Sequence, residues 1–310
     1  YELMDRVGVH FPEANVEPGP MAELAAACHE VMGFDNVMPI FSVSQEAMAL
    51  GCEVDWSDTM MMPTPATHPW ANRDVAIKLP DGFPDSFLED QYVRCAIDAI
   101  RRLKQHFGDE VMILGKVMGP WTLSYHLYDV QEFLYDTLMD PARAMKSVET
   151  LKAVPLVFAQ AQLEAGADAI VWADHATGDL VRNTMYRDML MPVHKELIPQ
   201  VKAPVVLHCC GPTADRIKYF AEPGFACFHF ESQVPAEVAV REAAGKMGLA
   251  GNINNPVTLF AKGPEEVRAE AQRAIDAGVD IIAPECAVPL QTTMRNLMTI
   301  VETCEDNRRG

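Results

Sequence analysis

The run Val205-Val206-Leu207-His208-Cys209-Cys210-Gly211 ends an apolar, β-branched stretch with an imidazole and two thiols. His208 and Cys210 are two residues apart, so on an extended chain they project from one face while Cys209 projects from the other, into the wall. Far along the chain a second apolar run, Val279-Asp280-Ile281-Ile282-Ala283-Pro284-Glu285-Cys286, ends on a further thiol. One imidazole and two thiolates make a three-ligand zinc site. Three protein ligands with one open position are the arrangement of a catalytic zinc, whereas structural zinc is closed by four. A thiolate-rich donor set selects a soft metal. Two anionic sulfurs also cancel the charge of Zn²⁺, so a substrate thiol bound there loses its proton yet stays nucleophilic. Alkylation of a thiol is therefore expected ahead of hydrolysis. The competing reading makes these residues ordinary core positions at strand ends. The two-residue spacing, the break at Gly211-Pro212 and the matching Cys286 favour the metal.

For the three to meet, distant strand ends must converge on one axis. The chain is patterned for that. Short runs rich in Val, Ile and Phe are followed by longer amphipathic segments. Strands are predicted at 36–41, 111–118, 169–173, 204–208, 226–230, 248–251 and 279–283. Helices are predicted at 85–107, 141–166, 212–221, 235–246, 264–278 and 290–302. Asp85 or Ser86 is the expected N-cap of the first, and Pro155 is expected to kink or break the second. Strands alternating with helices argue a parallel sheet, either open and doubly wound or closed as a barrel. No Gly-x-Gly-x-x-Gly turn follows any strand, which weakens the dinucleotide-binding form. Asp174, His208 with Cys210, Glu231, Asn252 and Cys286 stand at successive strand ends. Such a ring marks the catalytic face of a (β/α)8 TIM barrel. Seven strands are counted, and the eighth is expected before Tyr1. The segment 52–80, with Met60, Met61, Met62, Pro63, Pro65, His68 and Pro69, is too rich in proline for a regular helix. It reads as an irregular or hairpin insertion over the barrel mouth of a single domain spanning 1–310.

Composition narrows the partners. The 310 residues carry 25 Lys and Arg against 44 Asp and Glu, a net charge of −19. So acidic a chain is a poor ligand for nucleic acid or anionic lipid, and no apolar stretch reaches the length of a membrane span. Eight Cys without regular spacing do not make a disulfide scaffold and point to a reducing cytoplasm. Cys28, Cys52, Cys95, Cys227 and Cys304 read as small buried hydrophobes. His126, His194 and His229 read as helix or core histidines, and Arg94, Arg101 and Arg102 as a solvated helix face. Asp174 and His175, just past a strand, are both expected to face the pocket, for acid–base work or contact with a cofactor.

The stretch His208-Cys209-Cys210-Gly211, the Gly251-Asn252-Ile253 after a strand, Ala277-Gly278-Val279-Asp280 leading to Pro284-Glu285-Cys286, and the early Gly51-Cys52-Glu53-Val54-Asp55 together resemble the methylcobamide:coenzyme M methyltransferases. These are zinc members of the uroporphyrinogen decarboxylase superfamily. The resemblance covers nearly the whole chain and implies a uroporphyrinogen decarboxylase-like barrel. It implies that His208, Cys210 and Cys286 ligate zinc. Glu231 would fill the open position until a substrate thiol displaces it; from its place after a strand, Asp174 is expected to be a second catalytic carboxylate. His175 and Asn252 would meet the cofactor. That cofactor would be a corrinoid, a methylcobamide presented at the barrel mouth by a separate small corrinoid protein. The chain departs from the family at Glu285 and Ala287, where glycines are usual, at Cys209, usually aliphatic, and at His175, where proline is usual. Three other readings remain: a relative that demethylates an O-, N- or S-methyl donor and methylates cob(I)amide, a metal-free decarboxylase-type enzyme, and a non-catalytic zinc or corrinoid-protein binding module. The decarboxylase reading needs basic groups around several carboxylates and has no use for the thiols. The last is disfavoured by an open three-ligand site.

Overall fold

A computed structural model describes residues 1–57, 59 and 62–308. Seven strands form one sheet: β1 (Asn36–Val37), β2 (Met112–Met118), β3 (Ala169–Ala173), β4 (Val205–His208), β5 (Cys227–His229), β6 (Gly248–Ile253) and β7 (Ile281–Pro284). They lie in chain order and every pairing is parallel. All seven predicted strands are present. β1 is shorter than expected, because Pro39 has no N–H to continue the ladder. Among the described residues no pairing joins β7 to β1, so the barrel is open where an eighth strand would close it. The first helices bridge that gap: Met4, Val9, Ala14 and Leu24 pack with Phe41 from beyond β1 and Leu290 from beyond β7. The Tyr1 amino group donates to Leu290 O at 2.6 Å.

One local device starts two of the strands. Helix Ala153–Ala165 ends on Gly166 and helix Pro264–Ala277 on Gly278, both in the left-handed region that glycine adopts without strain. Two residues on, Asp168 accepts the Ile113 N–H and Asp280 accepts the Leu249 N–H, both at 2.8 Å. Each aspartate pins its own strand's entry to the neighbour. Above this base the strands alternate. Ile170, Trp172, Leu207 and Phe228 are fully buried against the helices, while the other face lines the barrel interior.

Helix boundaries shift from expectation for identifiable reasons. The predicted 85–107 helix is two, Asp85–Leu88 and Gln91–Phe107. The cap is Asp90, which accepts the N–H groups of Tyr92 and Val93 and restarts the helix there. The predicted break near Pro155 falls at Lys152, with helices Pro141–Leu151 and Ala153–Ala165 on either side. Only Ile217–Phe220 of 212–221 is helical. The preceding loop is held instead by buried Arg216, which donates to Ala176 O and Val181 O. The segment 235–246 is helical only over Ala236–Ala243, and the last helix runs Met294–Arg308. In the insertion, Val54 and Pro65 make an isolated antiparallel bridge. Met60 and Met61, assigned to it, lie outside the described residues. Among the described residues no helix is long and apolar enough to cross a membrane.

Candidate metal centre

Three strand spacings separate β4 from β7, roughly 14 Å across a flat sheet. Curling brings their ends together. His208 Nε2 lies 3.1 Å from Cys210 Sγ and 3.6 Å from Cys286 Sγ, and the two sulfurs are 3.3 Å apart. A disulfide would need about 2.0 Å, and both cysteines are free.

The donor set fits zinc. Tetrahedral zinc with ordinary bond lengths separates two sulfur donors by about 3.8 Å and a sulfur from an imidazole nitrogen by about 3.6 Å. The triangle here is slightly tighter. Burial, with the nearby imidazoles and Lys116, holds His208 well below the usual histidine range, so the ring is neutral as a ligand must be. The thiols share a proton. One sulfur donates to the other, and burial of the pair resists loss of the second proton. His208 Nδ1 is buried without a hydrogen-bond partner. Its ring is held by neighbours instead: His229 lies over it at 4.7 Å and His175 meets it edge-on at 5.5 Å.

The loop after β4 aims Cys210. Gly211 has φ +78°, and a Cβ there would lie 2.3 Å from Thr177 Oγ1, so glycine is required. The Gly211 N–H donates to Glu231 Oε2 at 2.7 Å. Glu231 follows β5, and one of its carboxylate oxygens groups with the sulfurs of Cys210 and Cys286, each pair within 4.8 Å. His175 is drawn to the same place: its ring groups with His208 and Cys210 within the same span. Its Nδ1 faces the Cys210 N–H at 3.5 Å.

Asp174 and Asn252 are not brought into this group. Asp174 is fully buried behind it. Oδ1 accepts the N–H and hydroxyl of Thr122, and Oδ2 accepts from His194 Nε2 at 2.9 Å. Thr122 Oγ1 in turn accepts the His175 N–H at 2.8 Å, so Asp174 reaches the centre through Thr122 and the His175 backbone. Asn252 Nδ2 donates to Val234 O, fastening the loop beyond Glu231. His194, expected to be a core histidine, is one, and hydrogen-bonds Tyr186 as well.

Several residues at the centre carry no obvious mark in the sequence. His229 reads as a core histidine, yet its ring lies tilted against His208 and donates through Nε2 to Pro284 O at 2.7 Å, tying β5 to the end of β7. Glu285, where the family pattern has glycine, is buried. It accepts the N–H groups of Ser232 at 2.9 Å and Asn255 at 2.8 Å, clamping three strand-end loops. Lys116, on the inner face of β2, and Glu46, which accepts the Met118 N–H, are both buried. The one available signal was a lysine inside the otherwise apolar run of β2.

Comparison with known proteins shows the family. The family model of uroporphyrinogen decarboxylase (URO-D) matches residues 1–307. The methylcobamide:CoM methyltransferase MtaA of Methanosarcina barkeri is 29% identical over 303 residues, covering 97% of this chain and 88% of that protein. The methylated-thiol–coenzyme M methyltransferase of Methanosarcina mazei is 27% identical over 307 residues, covering 98% and 82%. A solved methyltransferase from Methanosarcina mazei superposes with a TM-score of 0.93 at 27% identity, covering 99% of this chain and 90% of that one. The chain belongs to the uroporphyrinogen decarboxylase (URO-D) family and is one of its methyltransferases.

Proposed function

We propose that this chain moves a methyl group from a methylated corrinoid, carried by a separate small protein, to the sulfur of a small thiol, with zinc held by His208, Cys210 and Cys286. The observation that carries the reading is the triangle of one neutral imidazole and two free thiols, with Glu231 alongside. It is supported by relatives whose names specify transfer from a methylcobamide to coenzyme M. In the overall reaction a methyl cation equivalent passes from cobalt to sulfur, and the corrinoid is left as cob(I)amide.

When bound, zinc supplies the Lewis acidity that keeps a thiol deprotonated near neutral pH. The remaining work falls to the chain. His208, Cys210 and Cys286 present three donors from two distant strand ends, leaving a fourth direction open. Glu231, anchored by the Gly211 N–H, occupies that side and gives way to the incoming sulfur, whose proton its carboxylate can take. His175 faces the arriving cofactor. Asp174 positions His175 through Thr122, and Asn252 holds the loop that carries Glu231.

The test is spectroscopic. The zinc-loaded chain is mixed with methylcobalamin and a panel of small thiols while the corrinoid spectrum is followed. Conversion of methylcobalamin that needs both enzyme and thiol, and is lost in Cys210→Ser and Cys286→Ser, supports the assignment. Inertness with every thiol, together with methylation of cob(I)alamin by methylated amines, ethers or thioethers, would transfer the chain to the demethylating reading.

A further inference from the structure

Lys116 is the one buried lysine of the barrel interior described here, and its charge has no assigned task. In register it lies level with Val171, Val206, Cys227 and Gly248. The next layer up holds Met118, Ala173, His208, His229 and Ala250 on the same face of the sheet. Lys116 therefore stands on the inner face one layer below His208. It is 8% exposed. Its backbone is paired with the Gln162 side chain. Among the described residues its ammonium makes neither a hydrogen bond nor an ion pair within 4 Å. Its field nevertheless reaches Glu46, Cys286, His208 and His175. Buried Arg216 is the contrast: its guanidinium is fully engaged with Ala176 O, Val181 O and Asp215.

The charge count gives this ammonium a use. Two thiolates balance a divalent ion. A third sulfur anion takes the centre to −1, with Glu231 adding another negative charge at its edge. His208 ligates as a neutral imidazole, so it brings no compensating charge. In a low-dielectric interior an uncompensated anion is costly, and a fixed cation nearby offsets the cost without needing contact. Resting on the proposed function above, we infer that Lys116 is a positioning residue, the fixed countercharge that allows a substrate sulfur to enter the donor set as a thiolate.

The experiment uses the full chain loaded with Co²⁺, whose absorption reports sulfur ligation. 2-Mercaptoethanol is the anionic probe, because it has no charged tail of its own, and imidazole is the neutral probe. Both are titrated at one fixed, near-neutral pH. Lys116→Met should bind 2-mercaptoethanol about tenfold or more weakly than the parent, with imidazole affinity and bound cobalt unchanged. Lys116→Arg should restore thiol affinity to within about threefold, since it keeps the charge. Equal thiol affinity in the parent and Lys116→Met would overturn the inference while leaving the methyltransferase reading intact. So would equal losses for both probes, which would mark a structural role. A parent chain that takes up no cobalt would remove the proposed function, and the inference with it. If Lys116→Met does not fold, Lys116→Gln is the second variant, and collapse of both would also count for a structural role.

Discussion

The sulfurs of Cys210 and Cys286, 76 positions apart in the chain, lie 3.3 Å from one another with His208 Nε2 closing the triangle. In the metal-free protein the pair holds a proton that a metal must displace, because one buried thiol donates to the other. Zinc uptake should therefore release at least one proton per ion near neutral pH, and His208, already neutral, should contribute none. Protons counted with an indicator dye during zinc titration check this. Cys210→Ser should lower metal affinity at least about tenfold, and the Cys210→Ser, Cys286→Ser double variant should show no release. Release unchanged in that variant would place the proton elsewhere.

Gly211 sets the direction of Cys210. Gly211→Ala adds left-handed strain of about 1–2 kcal/mol and drives a methyl group into Thr177 Oγ1. The expected result is a chain that folds with lower stability and holds metal weakly, since the loop must shift by more than a ligand site tolerates. Thr177 Oγ1 has no hydrogen-bond partner, so Thr177→Ala should be nearly silent alone. Combined with Gly211→Ala it should recover part of the metal affinity, because the clash goes and the strain stays. Denaturant unfolding and cobalt titration on the three variants measure both effects.

How far the sequence alone reached can be argued from these residues. His208, Cys210 and Cys286 were legible because strand ends, two-residue spacing and thiol chemistry are all written locally. Only their convergence needed the barrel, and alternating strands and helices implied that. Lys116 and Glu46 were not legible. A lysine or glutamate is ordinarily a surface residue, and only the assembled interior shows these two buried. Helix limits failed where a side chain outcompeted the apolar pattern: Asp90 restarts a helix that periodicity runs through, and Arg216 holds 212–216 as a loop. Asp174 shows the remaining gap. Its place after a strand pointed to the pocket, whereas Thr122 and His194, remote in the chain, claim both its oxygens.

Glu285 clamps the loops that carry Glu231 and Cys286, and its value is predicted to lie in two backbone N–H groups. Glu285→Ala leaves the Ser232 and Asn255 N–H groups without their acceptor, at a cost of about 2–4 kcal/mol. Glu285→Gln keeps one acceptor oxygen and should lose about half of that. Cobalt affinity should fall in the same order, although Glu285 itself is not a ligand. Stability measured in urea beside metal titration tests the claim. A loss of stability with undiminished metal affinity would show that the clamp does not reach the donors.

Glu46 gives the fold a pH dependence of defined sign. Burial pushes its carboxyl from 4.5 up to about 7, against the pull of the Met118 N–H and of Lys116. Between those values the folded chain keeps a proton that the unfolded chain has lost. Stability from this group is therefore fully present below about pH 4.5, falls as pH rises toward 7, and changes no further above it. A shift of this size corresponds to about 3 kcal/mol. Glu46→Gln keeps an oxygen for the Met118 N–H and removes the titration, so its stability should decline less between pH 5 and pH 8 than the parent's, by about 2–3 kcal/mol. Urea unfolding at the two pH values measures the difference, which includes the titration of Lys116 that is coupled to Glu46. Parallel stability profiles would mean that Glu46 ionises in the barrel as readily as it does in water.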